Sequence, residues 1–158
     1  MARAGAKATR PASRTPQADS PLKSAEMYDP ATNAWTALPD MAHERIDIAA
    51  CVMPSGRVAV MGGFGADGQP WKDGEAFDPV KQTWEPLPVM AEARENPAAA
   101  SMPGGMIVVG DETAELFDEE SGRWLPLPHP MAAPRLSTQL VSLPASALQA
   151  AAAADADH

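Results

Sequence analysis

Ala25-Glu26-Met27-Tyr28-Asp29-Pro30-Ala31-Thr32-Asn33-Ala34-Trp35 is the stretch that decides the fold, because the chain repeats its signature twice more. Phe77-Asp78 precedes Trp84, and Phe117-Asp118 precedes Trp124, each Trp standing seven residues after its aromatic partner. Leu38-Pro39, Leu87-Pro88 and Leu127-Pro128 follow at fixed distance. Then come Met41, Met90 and Met131 and, four residues further on, Arg45, Arg94 and Arg135. So many positions recurring in order imply structural units that cannot bury their apolar faces alone and must stack on one another.

Working outward from this signature, the turns are readable. In Asp29-Pro30-Ala31-Thr32-Asn33, Pro presets φ and Asn33 tolerates a left-handed backbone; Gly122 holds the same place in the third copy, whereas Gln82 in the second suits it less. A hairpin centred on Ala31-Thr32 sets Tyr28 opposite Trp35, and the same register pairs Phe77 with Trp84 and Phe117 with Trp124. Between hairpins the chain alternates short apolar runs with turn residues. Ile46 to Met53, Arg57 to Met61, Gly74 to Phe77 and a strand through Trp84 form one unit. Pro97 to Met102, Met106 to Val109, Ala114 to Phe117 and Arg123 to Leu125 form the next. Near-continuous apolar strands of this kind suit sheets covered on both faces.

The Tyr-Asp-Pro hairpin, the Leu-Pro, Met and Arg positions, and Gly56-Arg57-Val58-Ala59-Val60-Met61-Gly62-Gly63 together closely resemble the kelch repeat. That resemblance implies an all-β, kelch-type β-propeller segment of four-stranded antiparallel blades. It covers residues 25–143, with Trp positions spaced by 49 and 40 residues against the roughly 50 of kelch. Two departures stand out. The counterpart of Gly62-Gly63 in the next unit is Gly110-Asp111, and the third unit has no counterpart. The strand count is also short: two strands, two full blades and a last strand from Leu136 to Leu143 make an incomplete ring, where propellers close with typically about 4–8 blades. Unpaired edges of that kind invite self-association or blades supplied by another chain.

Outside the repeats the chain changes character. Residues 1–24 carry Arg3, Lys7, Arg10, Arg14 and Lys23 against Asp19 alone, lack hydrophobic periodicity, and read as a disordered basic segment. Residues 144–158 read as a disordered Ala-rich tail. Most acidic residues lie in the repeats, and the net charge of −9 argues against nucleic acid or an anionic membrane as partner. Neither a signal peptide nor a transmembrane stretch is visible, which makes the cytoplasm the default location. The lone Cys51 sits in an apolar run, as a small buried hydrophobe.

Catalytic and metal chemistry find little support. His43, His129 and His158 occupy unrelated positions without ligand spacing, so the sequence implies no metal and no cofactor. Asp118-Glu119-Glu120 reads as a solvated hairpin tip. The three arginines at one repeat position read as structural bridges to turn carbonyls and carboxylates, as the resemblance also implies, in preference to a ring around an anion. Binding then falls to loops at one end of the blades. The resemblance points to the residue after the double glycine, Phe64, and to the residues two beyond each Arg: Asp47, Asn96 and Ser137. Trp71 lies outside the repeat positions, and is either a binding anchor or a cover for its own blade.

The reading is a non-catalytic scaffold that binds a protein or peptide partner through those loops. The alternatives are a fragment of a kelch-propeller enzyme acting on sugars, of sialic-acid epimerase type, and a truncated product without independent function. A copper-radical oxidase site needs paired tyrosines, and Tyr28 is the chain's one tyrosine.

Overall fold

A computed structural model describes residues 20–110, 112–133 and 139–141. Residues 1–19 and 144–158, read above as disordered, and Asp111, Arg135 and Ser137 fall outside them, as does most of the strand expected at Leu136 to Leu143. The described residues form antiparallel sheets without any helix and close no ring. First comes a hairpin of β1 (Ala25–Asp29) and β2 (Ala34–Leu38). A four-stranded sheet follows, ordered β3 (Ala49–Val52), β4 (Val58–Met61), β5 (Gly74–Asp78) and β6 (Thr83–Leu87). A second consists of β7 (Ala98–Met102), β8 (Gly105–Gly110), β9 (Thr113–Asp118) and β10 (Arg123–Pro126), again in chain order.

The hairpin registers follow the repeated signature. Tyr28 faces Trp35, Phe77 faces Trp84 and Phe117 faces Trp124, with ring centroids 5.1, 5.2 and 5.0 Å apart. Each turn closes in the left-handed region, at Asn33 (φ 54°), Gln82 (φ 57°) and Gly122 (φ 65°). Gln82 adopts that conformation despite its Cβ, because the hairpin register demands it, and its side-chain amide donates to the Pro79 carbonyl at 2.8 Å. Asp29 and Asp78 brace their turns by accepting backbone N–H bonds from Ala31 and Val80, each at 2.9 Å.

The blades stack with their first strands, β3 and β7, side by side. Ala59, Met61, Ala76 and Leu87 of one sheet bury against Met106, Val108 and Phe117 of the next, and this junction is the main core. Trp indoles tie the blades at their outer rim. Trp84 Nε1 donates to the Pro39 carbonyl of the preceding hairpin at 2.8 Å, and Trp124 Nε1 to the Pro88 carbonyl at 2.7 Å.

Two expectations need adjustment. The run from Ile46 to Met53 is not covered on both faces, since Ala50 is exposed and Val52 is 45% exposed. Ordered structure also begins ahead of Ala25: Leu22 exchanges both backbone hydrogen bonds with Arg45, at 3.1 and 3.0 Å, and Lys23 accepts from the Met41 N–H.

Candidate binding face

The linker that carries the chain from one blade to the next is held by a buried Arg–Glu pair. Arg45 and Arg94 are 4% and 2% exposed. Arg94 Nη2 meets Glu115 Oε1 at 2.9 Å, while its Nη1 donates to the carbonyls of Gly110 and Thr113 at 3.2 and 3.1 Å. Arg45 repeats the pattern with Glu75 at 3.3 Å, the carbonyls of Gly62 and Asp73, and an added ion pair to Asp73 at 2.9 Å. The glutamates reach back to the linker. Glu75 accepts the N–H of Ala42 at 2.7 Å and of His43 at 3.2 Å, and Glu115 that of Ala91 at 2.9 Å. Guanidinium donors engaged in this way act as inter-element bridges, and a forked guanidinium is suited to meet a carboxylate and two carbonyls together.

Sequence reasoning named the arginines but missed their carboxylates. The signal was present: Glu26, Glu75 and Glu115 each stand two residues before the repeat aromatic. What hid it is distance along the chain, since Arg45 and Glu75 meet only once β3, β4 and β5 have formed a sheet.

The double glycine makes the next link. Gly62 and Gly63 lie at φ 63° and 78°, and a Cβ on Gly63 would fall 2.2 Å from the Ile46 carbonyl oxygen. This close approach lets Gly63 N–H reach the Arg94 carbonyl at 3.0 Å, while Trp71 N–H donates to the Gly63 carbonyl and Arg94 N–H to that of Trp71. The loops 41–48, 62–73 and 90–97 are thus knit together at one end of the blades. Gly110, the counterpart of Gly62, is looser among the described residues: a Cβ there would meet nothing closer than 3.5 Å, against 2.9 Å from the Arg94 carbonyl oxygen at Gly62.

The nominated loop residues distribute over this end. Asp47 and Asn96 share a left-handed backbone, φ 55° and 43°, which by itself favours Asp and Asn. Asp47 is exposed and Asn96 half-buried. Phe64 is half-buried and pairs through its backbone with Ile46. Trp71 lies over two neighbours, 4.9 Å from the His43 ring and 5.7 Å from the Arg45 guanidinium, and packs so closely on Gly65 that a Cβ there would sit 2.9 Å from the indole. The structure therefore brings Asp47, Phe64 and Trp71 together around the double glycine and sets Asn96 on the adjoining loop. Beside His43, between the hairpin and the first full sheet, a groove of about 540 Å³ is lined by Pro39, Asp40, His43, Asp73, Trp84 and Val89.

The opposite end of the blades corrects the reading of Glu119. It is not a solvated tip residue. It accepts hydrogen bonds from the Ser55 N–H and hydroxyl and from Arg57 Nη2, the last at 3.0 Å, and so clamps neighbouring blades. Burial would raise its pKa, but these donors outweigh burial and hold the carboxyl below its ordinary value. Among the described residues no cluster of His, Cys, Asp and Glu is placed to hold a metal ion, and no helix is long and apolar enough to cross a membrane.

A family model described as the Kelch motif matches residues 17–42 and 49–91, spanning the hairpin to the start of its linker and then the whole first four-stranded sheet. The matched residues are kelch repeats. The β7–β10 sheet extends the kelch pattern beyond the matched residues, with the same strand order, aromatic pair and Arg–Glu bridge. No curated protein matches the chain.

Proposed function

We propose that this kelch segment is a non-catalytic binding scaffold whose ligand is a basic peptide segment of a partner protein. The observation that carries the reading is the composition of the loop end. Glu44, Asp47, Asp67, Glu92 and Glu95 crowd the same end as the half-buried aromatics Phe64 and Trp71 and a groove that holds Asp40. Acidic side chains beside aromatic rings favour lysine and arginine, through ion pairing and cation–π contact. The repeat arginines are committed to internal bridges, which leaves the loops as the surface free to vary on a rigid frame.

The test is selection of a phage-displayed peptide library on the immobilised chain, followed by titration of the enriched sequence. A Lys- or Arg-rich consensus is expected, weakened about tenfold or more by Phe64→Ala or Asp40→Asn, as for loss of an anchor or a charge partner worth ~1.4 kcal/mol. Lys81→Ala, at the other end of the blades, should leave binding unchanged. Equal affinity across all three variants, or no consensus at all, would remove the loop end as the site.

A further inference from the structure

The two blade junctions inside the chain obey one rule, and its two halves recur unused on opposite sides of the molecule. At each junction the aromatic pair of the following sheet faces the preceding unit, and its Trp indole donates to the carbonyl of the proline four residues after the preceding Trp. Trp84 thus meets Pro39 and Trp124 meets Pro88. Trp35 has the same pairing with Tyr28, yet among the described residues its indole has no such acceptor, and it is 49% exposed where Trp84 and Trp124 are half-buried. On the far side, Leu127-Pro128 occupies the acceptor position. Leu127 is 41% exposed, whereas its counterpart Leu87, covered by the next sheet, is 6% exposed. Leu125, beside it on β10, is 44% exposed. Among the described residues, one side therefore presents a donor without an acceptor beside an apolar rim, and the other an acceptor without a donor beside an apolar rim.

We propose that a second copy of this chain docks head to tail, with the Tyr28–Trp35 face of one copy on the Leu125–Leu127 face of the other and Trp35 Nε1 donating to the Pro128 carbonyl. The occupant is argued from continuity with the internal junctions: the geometry that joins the hairpin to the first full sheet, and that sheet to the next, continues from one chain to another. The contact is heterologous, so it either closes or runs on as a filament. Among the described residues each copy brings two four-stranded sheets and one two-stranded hairpin, so two copies bring four full blades and two half-blades, within reach of the roughly four to eight blades at which propellers close. The inference concerns the sides of the blades and is independent of ligand binding at the loop end.

Sedimentation equilibrium of the full chain at micromolar concentration tests it. The expected mass is about 33 kDa, twice the 16.6 kDa of the chain. Trp35→Asp and Leu127→Asp, each placing a charge on one exposed face, should each give the single-chain mass while keeping the far-UV spectrum of the parent. Mixing these two variants should restore a two-chain species, because each retains the face that the other lacks. Should either variant fail to fold, Trp35→Phe removes the indole N–H and part of the ring, and should raise the dissociation constant at least about fivefold, the worth of one hydrogen bond or more. A parent that stays at single-chain mass overturns the proposal, as does a dimer indifferent to Trp35→Asp. Recovery of no complex on mixing overturns the head-to-tail arrangement in favour of a contact using one face twice.

Discussion

Arg94 and Glu115 stand 2.9 Å apart with side chains 2% and 3% exposed, a charge pair withdrawn almost wholly from water between two strands and a linker. Its geometry explains why so polar a pair is retained there. The guanidinium meets two backbone carbonyls besides the carboxylate, and the carboxylate meets a linker N–H, so one side-chain pair makes four hydrogen bonds together. Arg45 and Glu75 form the same arrangement one blade earlier.

Removing one partner of such a pair strands the other charge in the interior. Arg94→Ala and Glu115→Gln are each expected to lower stability by roughly 3–5 kcal/mol. Arg94→Lys should recover little, since an ammonium cannot reach a carboxylate and two carbonyls together. Urea midpoints of the three variants measure this, and a midpoint for Arg94→Ala close to the parent would show that the bridge does not hold the linker.

Gln82 sits at φ 57° in the hairpin position filled by Asn33 and Gly122 in the other copies. Gln82→Gly should therefore stabilise the chain by up to about 1 kcal/mol, the strain of a side chain in the left-handed region less the entropy that glycine adds to the unfolded state. A thermal midpoint that falls instead would mean that the amide bond to Pro79 outweighs the strain.

Acid should weaken the fold through a specific set of carboxylates. The turn backbone holds Asp29 and Asp78 below the ordinary 3.8, through N–H bonds from Ala31 and Lys81 respectively, and the Ser121 hydroxyl does the same for Asp118. Glu119 is held below its ordinary 4.5, with burial overcome by Ser55 and Arg57. A carboxyl whose folded pKa is depressed stabilises fully above its unfolded value and loses that contribution as pH falls through the folded one. The urea midpoint should stay nearly level from neutral pH down to about 5 and drop below about 4.5. Glu119→Gln should be the weaker protein at pH 7 and converge on the parent as the pH falls through the depressed folded value, and a constant gap between them would exclude Glu119 as a titrating clamp.

Cys51 lies against Met106, its Sγ 3.6 Å from the thioether sulfur. Burial, reinforced by the charge of Glu119, pushes its thiol up to about 11 from 9.0. Alkylation by iodoacetamide at pH 8 should run about a hundredfold slower in the native chain than in denaturant, following the thiolate fraction. Equal rates would place the thiol at the surface.

Strand positions, hairpin registers and the kelch assignment were legible in the sequence because each rests on contacts between residues close in the chain. Tyr28 and Trp35 face one another across a turn whose residues announce it, and repetition at Phe77–Trp84 and Phe117–Trp124 makes the register unambiguous. Arg45 and Arg94 were visible as repeat positions for the same reason. Their partners were not, because Glu75 and Glu115 reach them only across an assembled sheet, and Glu119 meets Ser55 and Arg57 only where two blades touch. Exposure of Ala50 and Val52 also followed from tertiary structure alone: an apolar run specifies a strand, but whether its second face is covered depends on which strands of the neighbouring blade are there to cover it. Local periodicity determined the elements, and the burial of charge and apolar surface between blades decided what each repeated residue does.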